Sequence, residues 1–118
     1  MISKMVGLTF SKVEEYGDEE LRFYLSEDDY FVFYHSQSCC ERVYIEDICG
    51  DLEDLVGVPL LQAEEVDSDN DRPLSEYHES YTWTFYKFAT IKGYVTVRWY
   101  GHSNGYYSEH VSCERHTY

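Results

Sequence analysis

The chain has 118 residues, with 23 Asp and Glu against 9 Lys and Arg, a formal net charge of −14. That excess of carboxylate repels phosphate, so it argues against direct nucleic-acid binding and against anionic membranes, and it favours basic protein surfaces. The length fits one domain, 1–118, with one modest core, and the 13 Tyr, 6 Phe and 2 Trp favour sheet over a Leu-rich helical interior.

In chain order, residues 6–13 alternate Leu8 and Phe10 with Thr9 and Ser11 and predict a first strand. A turn at Tyr16-Gly17-Asp18 leads to a second strand over 21–25. Ser26-Glu27-Asp28-Asp29 turns the chain into a third strand, 30–34, completing an antiparallel meander. Residues 43–48 fit a strand or a short helix. Residues 51–56 have helical spacing, with Gly57 as cap and Pro59 as stop. Residues 60–66 read as extended, and 67–73 as a polar loop.

The clearest local signal is a hairpin of two Thr, aromatic and β-branched runs, 81–91 and 94–100, turning at Lys92-Gly93. The register expected from that turn sets Lys87 opposite Arg98, with Tyr86, Phe88, Val95, Val97 and Trp99 on the core face. A last strand is expected over 106–113. The fold class that follows is α+β, a mainly antiparallel β-sheet with one short helix and a metal-stapled loop.

That loop is Tyr34-His35-Ser36-Gln37-Ser38-Cys39-Cys40-Glu41, between two apolar runs. Imidazole and thiolate are the ligands a zinc ion takes, and adjacent cysteines do not readily bond to each other. His35, Cys39, Cys40 and Cys49 are therefore the expected ligands of a structural zinc. Cys113, His78, His102, Glu41 and Asp47 are alternatives for the last position. A cysteine nucleophile paired with His35 would need an orienting third group and a cleft, which the sequence does not supply.

Like charges at Lys87 and Arg98 call for a carboxylate between them, such as Asp47 or Asp51. The other use of that pair is an anion pocket walled by Trp83, Phe85 and Tyr100. The acids concentrate in the middle third, where residues 41–79 hold 13 acids and 2 bases. Glu46, Asp47, Asp51, Glu53, Asp54, Glu64, Glu65 and Asp67 are close enough in sequence to make a partner-binding patch. No phosphate-binding glycine loop, nucleophile elbow or dinucleotide signature occurs, so an enzyme is not expected. The first residues lack a signal peptide's apolar stretch and no run reaches membrane-spanning length, so a cytoplasmic location is expected.

Two stretches carry a resemblance: residues 35–48 with 50–57 (HSQSCCERVYIEDI, GDLEDLVG) and residues 80–108 (SYTWTFYKFATIKGYVTVRWYGHSNGYYS). Both are similar to a family of small proteins from phages and mobile elements of low-GC Gram-positive bacteria. The resemblance implies a phage origin. In that setting a small, acidic, zinc-binding protein looks like an anti-CRISPR protein, a non-enzymatic inhibitor of the host type II RNA-guided DNA nuclease. It would dock on a basic effector surface and hinder target-DNA loading, since such nucleases hold guide and target in positively charged channels. The alternatives are a counter-defence protein that sequesters a nucleotide immune signal, and an accessory phage protein.

Overall fold

The computed structural model describes residues 2–37, 40–68, 74, 80–104 and 108–118. Among them the strands are β1 (Lys12–Tyr16), β2 (Glu20–Ser26), β3 (Asp29–Tyr34), β4 (Glu41–Cys49), β5 (Gln62–Ser68), β6 (Ser80–Thr90), β7 (Gly93–Ser103) and β8 (Ser112–Thr117). They form two four-stranded antiparallel sheets, ordered β1-β2-β3-β8 and β4-β7-β6-β5. The sheets bury one face each against the other. Val13, Leu21, Phe23, Phe31 and Phe33 from the first meet Val43, Ile45, Tyr86, Phe88, Val95, Val97 and Trp99 from the second. Aromatic rings make the joint. Phe23 and Phe88 have centroids 4.8 Å apart, and the Phe33 and Tyr86 rings are also 4.8 Å apart, edge to face.

The meander of the first three strands forms as expected, with one correction. Residues 6–11 are not a strand but run across one open end of the sandwich, where Thr9 bridges Pro59. Met5, Phe10, Leu55 and Leu60 plug that end, all fully buried. Their backbone is tied by Gly7 N–H to the Leu60 carbonyl (2.7 Å) and Gly57 N–H to the Phe10 carbonyl (2.9 Å). Here Gly7 and Gly57, at φ of 90° and 82°, fix a path that alternation alone does not report.

The short helix expected over 51–56 is one 3-10 turn, Leu52–Leu55, capped by the Asp51 carboxylate, which accepts the Glu53 N–H at 3.0 Å. It is too short for an α-helix because positive-φ Gly57 and Pro59 follow at once. Most of the polar loop at 67–73 lies outside the described residues.

The hairpin forms with the expected core face and a different register. Thr90 pairs with Gly93, so Ile91 and Lys92 make the turn, and Lys87 lies opposite Thr96 while Arg98 lies opposite Phe85. A two-residue shift along one strand keeps every side chain on its face, which is why the buried set survives it. The last strand, expected over 106–113, is Ser112–Thr117. It crosses back to pair with β3 in the first sheet.

Candidate functional site

The two stretches that carry the resemblance converge at one end of the second sheet. Glu41 opens β4 beside Ser103 at the end of β7, and Ser103 in turn lies beside Ser80 at the start of β6. Three polar attachments gather there. His35 Nε2 meets Glu41 Oε1 at 3.1 Å, with the two side chains only 7% and 2% exposed. His35 Nδ1 lies 2.7 Å from the His110 carbonyl oxygen, an acceptor only, so Nδ1 carries the proton. The Nε2–Oε1 contact then requires a second proton between imidazole and carboxylate, as an ion pair or as neutral imidazole with carboxylic acid. Next to them Glu109 is buried, and its oxygens accept Thr82 Oγ1 at 2.8 Å and Ser103 Oγ at 2.6 Å. Gln37 holds Val43 on both backbone groups, donating from Nε2 to its carbonyl (2.7 Å) and accepting its N–H (3.2 Å).

The strands dictate this arrangement. Glu41 and Ser103 stand at strand ends and Thr82 is the third residue of β6, opposite Gly101, while Glu109 lies across Gly101, whose missing Cβ leaves room for it. Glu109, Thr82 and Ser103 are not visible as a cluster in the sequence. The available signal was Glu109 itself, one of two acids in an otherwise basic last third.

The described members of the expected zinc set do not come together. His35 is engaged as above. Cys40 is disulfide-bonded, so its sulfur is not a thiolate, and Cys39 lies outside the described residues. Cys49 is a free, exposed thiol at the far end of β4, eight residues and so roughly 25 Å from Glu41. Its Sγ donates to Asp47 at 3.5 Å, and that carboxylate raises the thiol pKa. Of the alternatives, Glu41 serves His35, His102 lies beside Arg42 in the ladder, and His78 is outside the described residues. Among the described residues no group of three or more His, Cys, Asp and Glu is placed to hold an ion.

Cys113 lies near Tyr86 and Glu65 of the other sheet, and burial pushes its thiol from 9.0 up to about 12. Below the lower value the thiol is neutral in both folded and unfolded chains. Above it the unfolded chain ionises while the folded one resists, so stability falls as pH rises from about 9 towards 12. Urea midpoints across that range should decline, and less steeply in Cys113→Ala. An equal slope in both proteins would assign the loss to other groups, of which the buried Tyr86 phenol, also held above its ordinary pKa, is first.

The expected acidic patch is laid out around the second sheet. Glu46 and Asp47 lie on edge strand β4, and Glu64, Glu65 and Asp67 on the opposite edge strand β5, about 14 Å away across three strand spacings. Asp51, Glu53 and Asp54 sit on the 3-10 turn at the hairpin-tip end, and the Asp54 carbonyl accepts the Thr90 hydroxyl. Arg98 does take a carboxylate, but from Glu46, not from Asp47 or Asp51. Its Nε donates to Glu46 Oε2 at 2.6 Å, Nη2 contacts the same oxygen, and the guanidinium lies 5.0 Å from the Trp83 ring centroid. A bulge between Ile45 and Asp47 turns Glu46 to this face. Lys87 stands two residues away, opposite Glu64. The pair expected to line an anion pocket is therefore split, and Arg98 is already matched.

Residues 3–113 match a family described as a domain of unknown function, DUF7448. The chain belongs to that family. The match spans both convergent stretches and the strands β1 to β7, so the DUF7448 unit includes the His35–Glu41 and Glu109 attachments. No curated protein and no solved structure matches the chain. No helix among the described residues is long and apolar enough to cross a membrane.

Proposed function

We propose that this DUF7448 protein is a non-enzymatic binding protein that docks its acid-framed second sheet on a basic protein surface. The resemblance to phage proteins makes the type II RNA-guided nuclease the first partner to test, with hindered target-DNA loading as the consequence. One observation carries the reading. Of the eight carboxylates named for the interface, only Glu46 has an ion pair among the described residues, so the frame keeps its charge on a rigid sheet. Unmatched carboxylates on fixed strands attract a cationic surface without the entropy cost of ordering a tail. The convergent cluster, at the end of the sheet away from Asp51, Glu53 and Asp54, is closed, with His35 and Glu41 side chains 7% and 2% exposed, and serves the frame as a clamp. Zinc does not enter this reading.

The test is capture of the purified nuclease, with and without guide RNA, across a salt series. Wild-type protein should capture it, and capture should weaken steeply with salt. Reversing Glu64, Glu65 and Asp67 to Lys should weaken capture by at least about tenfold, a loss of about 1.4 kcal/mol, and flatten the salt response. Absence of capture, or capture indifferent to the reversal, sinks the proposal. A nucleotide retained in native mass spectrometry would point instead to sequestration of an immune signal.

A further inference from the structure

The outward face of the first sheet is as aromatic as its buried face, and nothing in the acid-frame reading uses it. Register sets out three rows there: Lys12, Tyr24, Tyr30 and His116; Glu14, Arg22, Val32 and Glu114; Tyr16, Glu20, Tyr34 and Ser112. Val32 is the short side chain in the middle of this grid. Tyr30 and Tyr34 lie two residues to either side of it, about 6.6 Å along the strand each way, so a hollow opens over Val32. It measures about 260 Å³, and Glu20, Arg22, His116 and Tyr118 complete its walls.

The chemistry of those walls selects the occupant. Arg22 Nη2 is matched to Glu20 Oε2 at 3.2 Å, and His116 Nε2 lies 3.2 Å from Glu114 Oε2. An anion would meet Glu20 and a chain of net charge −14, while a cation would meet Arg22 at the wall. A flat base binds best sandwiched between two free ring faces. The Tyr30 ring has none, being stacked on His116 (centroids 5.4 Å apart, planes 7° apart) with the Arg22 guanidinium 5.0 Å from its centroid. An apolar ligand would strip water from the Arg22–Glu20 ion pair and from the Tyr30 and Tyr118 hydroxyls, which bond each other at 3.3 Å, and return no hydrogen bond for it.

A neutral ring with apolar C–H faces and a hydroxyl rim satisfies all of these at once. Its C–H face rests on the Tyr118 ring, which is 82% exposed, and beside Tyr34, and its hydroxyls both donate to Glu20 and accept from Arg22 and tyrosine. We propose that the hollow over Val32, between Tyr30, Tyr34, Arg22 and Glu20, binds one pyranose unit of a saccharide.

Saturation-transfer NMR with methyl glucoside, galactoside, mannoside and N-acetylglucosaminide at millimolar concentration tests this, with adenosine as a separate arm. At least one pyranoside should receive saturation at its ring C–H protons. Tyr118→Ala and Glu20→Gln should each weaken that binding by about tenfold while keeping the wild-type melting curve. Tyr118 is 82% exposed, so its removal leaves the fold intact and decides the matter even if Glu20→Gln does not fold. No transfer to any pyranoside, transfer unchanged in Tyr118→Ala, or transfer to adenosine alone would overturn the assignment.

Discussion

Replacing either His35 or Glu41 with alanine is expected to lower stability by about 3–5 kcal/mol, because each breaks an enclosed contact between imidazole and carboxylate. The two side chains are 7% and 2% exposed and meet at 3.1 Å, so water does not take the missing place. For a chain of this size the loss corresponds to a fall in Tm of about 10–20 °C. The double variant should cost clearly less than the two singles added together, since it removes both halves of one interaction. Thermal and urea unfolding of the three variants read this directly. Single-variant losses under about 1 kcal/mol, the range of a solvent-exposed ion pair, would mean the pair is not enclosed in solution.

Gly101→Ala should be nearly as damaging, by about 2–3 kcal/mol. A methyl group there would lie 2.8 Å from the Glu109 carbonyl oxygen, 3.0 Å from the Glu109 Cβ and 3.1 Å from Val43 Cγ2. Two of these belong to a segment held by its own carboxylate through Thr82 and Ser103, so it cannot retreat without breaking those bonds. The effect is steric and not torsional, since Gly101 is not among the positive-φ glycines. Combining Gly101→Ala with Glu109→Ala, which frees that segment, should therefore cost less than the sum of the two. Simple additivity in urea unfolding would place the strain elsewhere.

What could be read from the sequence was whatever a single strand's own pattern encodes. The runs behind β2, β3, β6 and β7 alternate or are continuously apolar over their whole length, so their existence and the core face of the hairpin followed from side-chain period alone. The hairpin register did not, because Ile91-Lys92 forms the turn while Gly93 makes the neighbouring Lys92-Gly93 look like the better one. Nothing local distinguishes Tyr30, Val32 and Tyr34 from Phe31 and Phe33, although the first three face outward and the last two the core. Nor does local pattern report that Glu109, read as one acid among many, is buried on two hydroxyls. The sequence marks His35 as a candidate zinc ligand. Its described partners, a carboxylate and a carbonyl, come from β4 and from a segment 75 residues away.

The pairing of β3 with β8 has a consequence for synthesis. Residues 29–34 find their second neighbour only in residues 112–117. A ribosome adding about 5–20 residues per second makes the intervening stretch of about eighty in roughly 4–16 s. Throughout that interval an aromatic strand of Tyr30-Phe31-Val32-Phe33-Tyr34 shows a bare edge, the kind that recruits stray chains. Slower translation or lost C-terminal residues should therefore show up first as insoluble protein and only later as altered binding.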